Sequence, residues 1–203
     1  MSEHYILVKP ELCTGCKSCE LACAVEHSKT KSIYTAPFED PKPMPRIKVL
    51  PVDGLTVPTR CVHCAQPPCM DACPFDAINI SPEGFVLIDE GKCKGCLVCA
   101  RACPFGAITL YRPKRIAVKC DFCYERVRAG KEPACVEACP TGALRYGRLD
   151  DLMKEVAQAK IRELLKAFSL EARAIIVPPP DGKGSSGAPV TPPIIRQSFA
   201  REG

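Results

Sequence analysis

The sequence predicts an α+β fold made of repeated small units, and three observations support this prediction. The 203-residue chain carries sixteen Cys, which fall into four groups of four with none left over. A short apolar run typical of a β-strand precedes each group. Three groups end in a related phrase, CPFDAINI, CPFGAITL or CPTGALRY, in which an apolar step after the proline begins a second strand. Such self-similarity indicates a duplicated unit.

The strands and cysteine groups alternate along the first three quarters of the chain. The four predicted strands are Tyr5–Val8, Leu55–Val57, Phe85–Ile88 and Ile116–Val118. The four groups that follow them are Cys13, Cys16, Cys19 and Cys23; Cys61, Cys64, Cys69 and Cys73; Cys93, Cys96, Cys99 and Cys103; and Cys120, Cys123, Cys135 and Cys139.

Two insertions interrupt this pattern. A polar, proline-rich stretch at residues 28–45 is followed by apolar runs at 46–51 and 55–60 that flank Asp53 and Gly54. An Asp-Gly pair between such runs predicts a β-hairpin. The second insertion separates Cys123 from Cys135, and Gly130 is the expected turn residue within it.

Beyond the cysteines, the pattern changes to a helix from Leu149 to about Phe168, with Asp150 and Asp151 in its first turn. Its apolar stripe shifts midway, which leaves two interpretations: the helix packs on its own chain, or it docks on a partner subunit. A strand is expected at 172–177. The tail at 178–203 is expected to be extended or disordered alone, or an arm along another subunit, since it is rich in Pro and Gly but keeps Ile194, Ile195 and Phe199.

Composition narrows the function. With 21 Pro, 13 Gly and no Trp, the chain has few large apolar side chains, so something besides packing is expected to stabilise it. The start MSEHYILV lacks the features of a secretion signal, so we expect a cytoplasmic protein with reduced thiols rather than disulfides. No run is long enough to span a membrane. The net charge of +5 is spread along the chain, which gives little reason to expect nucleic-acid binding.

The third group, CKGCLVCARACP, has the spacing CxxCxxCxxxCP of bacterial two-cluster ferredoxins. Three thiolates in a tight loop, with Gly95 permitting the turn, suit three iron corners of one cubane. The fourth cysteine is expected to begin a helix that points away and to ligate the other cluster of a pair. The first group shares this spacing and has Gly15, but Ala24 stands in place of the proline. The second and fourth groups have longer loops, which still allow their thiols to converge.

Zinc is the competing metal, because the pairs Cys120/Cys123 and Cys135/Cys139 suit a tetrahedral site. The triple spacing of the first and third groups matches such a site poorly.

His63 is expected to donate a hydrogen bond to a cluster rather than to ligate iron. His4 and His27 are expected to be solvent or packing residues. Five basic residues near ligands, Lys17, Lys94, Arg101, Arg126 and Arg128, either favour a reduced cluster or are simply solvated.

From Tyr5 to Gly147 the chain resembles the four-cluster iron-sulfur subunits of the dimethyl sulfoxide reductase superfamily. Within that superfamily it resembles the formate dehydrogenase β and carbon monoxide dehydrogenase electron-transfer type, and the segment YILVKPELCTGCKSCELAC is especially similar to the carbon monoxide dehydrogenase electron-transfer subunits. The resemblance implies two interleaved bacterial-ferredoxin-like modules. The outer one comprises residues 1–27 plus 112–147 and the inner one 55–111, with an insertion at 28–54, a helix and strand at 148–177 and a tail at 178–203.

The resemblance also implies four [4Fe-4S] clusters. Their ligand sets are Cys13, Cys16, Cys19 and Cys139; Cys120, Cys123, Cys135 and Cys23; Cys61, Cys64, Cys69 and Cys103; and Cys93, Cys96, Cys99 and Cys73. Every ligand position is cysteine, so no [3Fe-4S] centre is expected. The sequence shows no catalytic site of its own.

The implied function is a relay of single electrons between a catalytic subunit and an acceptor. The catalytic partner is expected to be a molybdenum or tungsten pterin enzyme of the formate dehydrogenase or aldehyde oxidoreductase type, a nickel carbon monoxide dehydrogenase or a hydrogenase. A further redox acceptor subunit is compatible with this role. The alternatives are a free polyferredoxin without a fixed partner and a structural zinc protein.

Overall fold

The structure, a computed structural model, describes residues 4–167 and only the backbone from residue 160 onward. Its strands are β1 His4–Val8, β2 Lys48–Val52, β3 Leu55–Thr59, β4 Ile78–Ile80, β5 Val86–Ile88, β6 Thr109–Tyr111, β7 Ile116–Val118 and β8 Leu144–Arg148. Its helices are α1 Ser18–Glu26, α2 Pro68–Asp71, α3 Val98–Ala102, α4 Tyr124–Arg128, α5 Ala134–Glu137 and α6 Leu149–Ala167. The predicted α+β class is therefore confirmed.

The strands form four antiparallel pairs. The predicted hairpin is the pair β2–β3, and Asp53 and Gly54 both have the positive φ that its turn requires. The pairs β4–β5 and β6–β7 each connect the end of one cysteine group to the start of the next. The pair β1–β8 joins distant parts of the chain, in a register that runs from His4 opposite Arg148 to Val8 opposite Leu144. This pairing brings the first cysteine group beside the fourth.

The helices correct one expectation about the cysteine groups. The fourth cysteine does not begin a helix; instead the third cysteine lies in a short helix and the fourth lies at or beyond its end in three of the groups. The cause is the proline after the fourth cysteine, which disfavours helical backbone at the residue before it. In the first group Ala24 replaces that proline, and α1 continues past Cys23 to Glu26.

The core consists of two clusters of buried side chains that include the cysteines themselves. The first cluster contains cysteines of groups one and four together with Ile47, Val49, Val136 and Leu144. The second contains cysteines of groups two and three together with Ile78, Val86, Ile108 and Ala117. Since each cluster contains only four apolar residues besides its cysteines, thiols form a large share of the buried side chains.

Helix α6 begins at the predicted Leu149. Leu152 is buried, and Glu155 accepts a hydrogen bond from Lys9 at 2.6 Å. Met153 and Val156 are exposed, so packing within the compact unit, which ends at Ile161, covers only part of the predicted apolar face. The predicted strand at 172–177 and the tail lie outside the described residues. Within residues 4–167, no helix has both the length and the apolar character needed to cross a membrane.

Candidate metal centres

Two cavities in the fold are each lined by four cysteines that come from two different groups. The lining of one includes Cys61, Cys64, Cys69 and Cys103. The lining of the other includes Cys73, Cys93, Cys96 and Cys99. In both cavities the first three cysteines of one group meet the fourth cysteine of the other. Groups two and three therefore exchange their last thiol.

The first and fourth groups show the same exchange in the electrostatics of their thiols. Burial raises the pKa of Cys23 to about 12, and the neighbouring thiols of Cys120 and Cys123 add to the rise. Burial likewise raises the pKa of Cys135, with Cys120, Cys123 and Cys23 as the next contributors. These four thiols are therefore close together in space.

Cys139 of the fourth group lies close to Cys19 of the first. Burial raises the pKa of Cys19 to about 11, and the negative groups that add to the rise are Glu20 and Cys139. Cys13 and Cys139 both pack against the core cluster that contains Cys19. Thiols of groups one and four are therefore intermixed, which favours shared sites over a zinc site made from group four alone.

The chemistry of these thiols fits an iron-sulfur cluster. Burial raises the pKa of Cys99 to about 11, and Cys73, Cys93 and Cys96 add to the rise. Neighbouring thiolates in a buried position repel one another, so they need a cationic group at their centre before they can deprotonate together. All sixteen cysteines are free thiols. Among the described residues, no three His, Cys, Asp or Glu side chains converge closely enough for a single metal ion.

Backbone N–H groups point at several of the sulfur atoms. The N–H of Arg46 donates to Sγ of Cys23 at 3.2 Å, that of Ala117 to Cys93 at 3.3 Å and that of Phe122 to Cys120 at 3.4 Å. Such donors stabilise thiolate charge and tune a bound cluster. The sites therefore provide both the ligands and the surrounding donors that a cluster requires.

The two CxGC loops depend on glycine to different degrees. Gly15 and Gly95 both have positive φ, +71° and +66°, as the tight turn requires. A Cβ on Gly15 would meet only the side chain of Thr56, whose methyl group would lie 3.3 Å away. A Cβ on Gly95 would lie 2.8 Å from the carbonyl carbon of Arg115 and closer still to its oxygen. The turn between β6 and β7 therefore covers the third group's loop directly.

A polar network that the sequence did not predict lies beside the thiols of Cys23, Cys120 and Cys123. Nε2 of His27 lies 3.1 Å from the Asp121 carboxylate, and Arg46 donates to the same carboxylate at 2.8 Å. His27 also contacts the Cys23 carbonyl through Nδ1 at 2.7 Å. The expectation that His27 is a plain solvent or packing residue is therefore wrong. Burial would raise the pKa of Asp121, but His27 and Arg46 hold it well below its ordinary value.

His63 lies between two cysteines of the second group and is half-buried. Burial lowers its pKa to about 3, and the charges of Lys119 and Arg60 contribute, so its imidazole is neutral at neutral pH. Its Nδ1 accepts the N–H of Val86 at 3.1 Å, which assigns the proton to Nε2. That Nε2 is buried without a partner in the described part of the chain. Its predicted hydrogen bond to a cluster stays a prediction.

The basic residues chosen from the sequence turn out to be at the surface or paired. Lys17, Lys94, Arg101 and Arg128 are exposed. Arg126 donates to Glu26 at 3.1 Å and also pairs with Glu137. Simple solvation therefore describes Lys17, Lys94 and Arg101 best, whereas Arg128 lies 5.5 Å from the centroid of the Tyr124 ring and 3.9 Å from the Glu83 carboxylate. The buried cation near the cysteines is instead Lys119, which is only 4% exposed.

Comparisons with known proteins agree with this chemistry. Residues 52–149 match the family described as "4Fe-4S dicluster domain", and residues 10–26 match a "4Fe-4S binding domain". The chain is 40% identical to an iron-sulfur protein of Rhodospirillum rubrum, over 80% of this chain and 91% of that protein. It is 35% identical to the B component of anaerobic dimethyl sulfoxide reductase from Escherichia coli, over 87% of this chain and 89% of that one.

A third relative is the B component of tetrathionate reductase from Salmonella typhimurium, which is 33% identical over 76% of this chain and 61% of that protein. The predicted formate dehydrogenase and carbon monoxide dehydrogenase type stays a prediction. The matching domains and the sixteen cysteines mean that this protein binds multiple [4Fe-4S] clusters. The chain therefore belongs to the family of [4Fe-4S] iron-sulfur electron-transfer subunits that includes the B component of anaerobic dimethyl sulfoxide reductase.

Proposed function

We propose that this chain holds four [4Fe-4S] clusters and relays single electrons between a catalytic oxidoreductase subunit and an acceptor. The observation that carries the proposal is that thiols of groups two and three share two cavities and thiols of groups one and four lie together, because this mixing suits four sets that each exchange one thiol. The proposed ligand sets are Cys13, Cys16, Cys19 and Cys139; Cys23, Cys120, Cys123 and Cys135; Cys61, Cys64, Cys69 and Cys103; and Cys73, Cys93, Cys96 and Cys99.

A bound [4Fe-4S] cluster supplies a one-electron carrier at each site. The protein's own residues determine how well that carrier works. The thiolates hold the iron, and the backbone N–H groups of Arg46, Ala117 and Phe122 stabilise the added negative charge of reduction. Each transfer takes one electron from the donor and gives one to the acceptor, so nothing accumulates in the chain.

The relatives support a catalytic reductase as the partner, and the resemblance described from the sequence favours one of the pterin-dependent class. Two of them are named as components of dimethyl sulfoxide and tetrathionate reductases, which implies a larger assembly for each. The inserted loop after α1 offers apolar surface for such a partner, because Tyr34 is 83% and Phe38 87% exposed. Exposed aromatic side chains of this kind are enriched in protein interfaces. The proposed location is the cytoplasm, where thiols stay reduced and available to iron.

The proposal is tested by anaerobic purification of the tagged full-length chain from its native cells. We expect about sixteen iron and sixteen sulfide per chain, and a pterin-containing large subunit that co-purifies. Iron near twelve per chain, or a strong signal of an oxidised [3Fe-4S] centre in electron paramagnetic resonance (EPR), would contradict the four-cluster assignment. A stable monomer with no co-purifying enzyme on native mass spectrometry would favour a free polyferredoxin instead.

A further inference from the structure

Lys119 is a buried cation without a carboxylate partner among the described residues. It follows the last residue of β7 and directly precedes Cys120, and its side chain is 4% exposed. Its Nζ donates to the carbonyl oxygen of Cys120 at 3.0 Å and to that of Val86. Two carbonyl groups accept hydrogen bonds from two of its three N–H donors, but they do not neutralise its charge. A buried charge of this kind is costly unless an opposite charge lies nearby.

The cysteines beside Lys119 supply that negative charge once they hold a cluster. The residue lines the cavity formed by Cys61, Cys64, Cys69 and Cys103. Burial raises the pKa of Cys69, and Lys119 opposes that rise more than any other group does. At Cys120, whose carbonyl accepts a hydrogen bond from Lys119, burial also raises the pKa; Arg60 opposes that rise most and Lys119 opposes it less. Its charge therefore acts on thiols of two different sets.

We propose that Lys119 is a countercharge shared by the cluster on Cys61, Cys64, Cys69 and Cys103 and the cluster on Cys23, Cys120, Cys123 and Cys135, and that it raises the reduction potential of both. The inference rests on the proposed ligand sets. Reduction adds one negative charge to a cluster, and a fixed positive charge beside it stabilises the reduced form. One set draws its thiols from the second and third groups and the other from the first and fourth. A single buried charge therefore acts on one set from each pair of groups.

Burial distinguishes Lys119 from the other lysines beside ligands. A charge pair near a protein interior interacts about four times more strongly than the same pair in bulk water, because the effective dielectric constant is lower. Lys94 is next to Cys93 in sequence, as Lys119 is next to Cys120, but its side chain is exposed. Solvent and salt screen the Lys94 charge. Lys94 is therefore a matched control for position in the sequence without burial.

The test compares Lys119→Met and Lys119→Gln with Lys94→Met in the anaerobically purified full-length protein. EPR-monitored redox titrations give the potential of each cluster. In both Lys119 variants we expect the oxidised-to-reduced ratio of two clusters to rise at least tenfold at a fixed ambient potential, which is 59 mV for a one-electron couple. The other two clusters, and all clusters in Lys94→Met, are expected to change less than threefold. Changes below threefold at every cluster of the Lys119 variants would overturn the proposal.

Lys119→Arg keeps the charge and resolves the case in which a neutral variant loses iron. Iron loss in Lys119→Met and Lys119→Gln but not in Lys119→Arg supports the proposal, because charge alone separates the variants. Iron loss in all three overturns it, because the shape of the side chain is then what matters. The iron content of the unaltered protein tests the proposed function separately, since a count below four clusters refutes that assignment whatever the Lys119 variants do.

Discussion

The substitution Gly95→Ala tests how the third cysteine loop is held in place. The backbone at Gly95 is left-handed, with φ of +66°, and a residue with a Cβ adopts this conformation at a cost of about 1–2 kcal/mol. The new methyl group also overlaps the carbonyl group of Arg115, whose carbon lies 2.8 Å from the Cβ position. That carbonyl is backbone in the turn between β6 and β7, so it cannot rotate away as a side chain can.

Overpacking of this kind costs about 1–3 kcal/mol beyond the backbone cost, which gives a total of about 2–5 kcal/mol. Gly15→Ala is the matched control. It has the same motif position and nearly the same φ, but its Cβ meets only the Thr56 side chain, with the methyl group at 3.3 Å. Gly15→Ala should therefore cost only the backbone contribution of about 1–2 kcal/mol.

Anaerobic thermal denaturation followed by circular dichroism, with iron analysis of the same samples, measures the difference. A destabilisation of 1 kcal/mol lowers Tm by about 2–4 °C in a chain of this size. The apparent Tm of Gly95→Ala should therefore fall by about 4–20 °C, against about 2–8 °C for Gly15→Ala. Gly95→Ala should also lose iron first. Equal losses of Tm and iron in the two variants would refute the steric argument.

Three further predictions concern the clusters and the polar network around them. Cys139→Ser should abolish a different EPR signal from the one that Cys23→Ser abolishes; loss of the same signal in both variants would contradict the proposed exchange. Removal of iron by a chelator should unfold the chain, since the thiols belong to both core clusters; a far-ultraviolet circular dichroism spectrum that stays native would count against this. Arg46→Met leaves the Asp121 carboxylate without one of its three partners, the others being His27 and the N–H of Cys123, and should lower the apparent Tm. Because the pKa of Asp121 is depressed in the folded state, its contribution to stability is present above the ordinary carboxyl pKa of about 3.9 and is lost as the pH falls below it. The difference in apparent Tm between Arg46→Met and the unaltered protein should therefore be the same at about pH 5 and about pH 8. A difference in Tm found only at the lower pH would contradict a depressed pKa of Asp121 in the folded state.

The sequence was most informative where the interactions are local. The strand before each cysteine group and the β2–β3 hairpin depend on short runs of residues and on turn chemistry, and the structure contains them. The position of the helices was predicted less well. The proline after the fourth cysteine ends each short helix early, and the effect of Ala24 on the length of α1 is clear only when the groups are compared in the structure.

The charged residues around the sites could not be identified from their spacing. His27 and Asp121 are 94 positions apart, and Arg46 is 75 positions from the same carboxylate. Lys119 lies in a basic stretch of the sequence, which is typical of a protein surface. Its burial follows from tertiary structure, in which it donates to the Val86 carbonyl, 33 positions away. The division of the chain into outer and inner modules stays a prediction.

The pairing of β1 with β8 determines when folding of the chain can be completed during its synthesis. The hairpins β4–β5 and β6–β7 close between neighbouring segments and can form as soon as those segments leave the ribosome. Strand β1 is made before them, yet its partner is the last strand of the described fold. The thiols that follow β1 must therefore wait, reduced and exposed, while almost all of the cysteine-rich region is translated. A chain that stalls before β8 keeps this first loop open, which makes it a target for oxidation and for proteases.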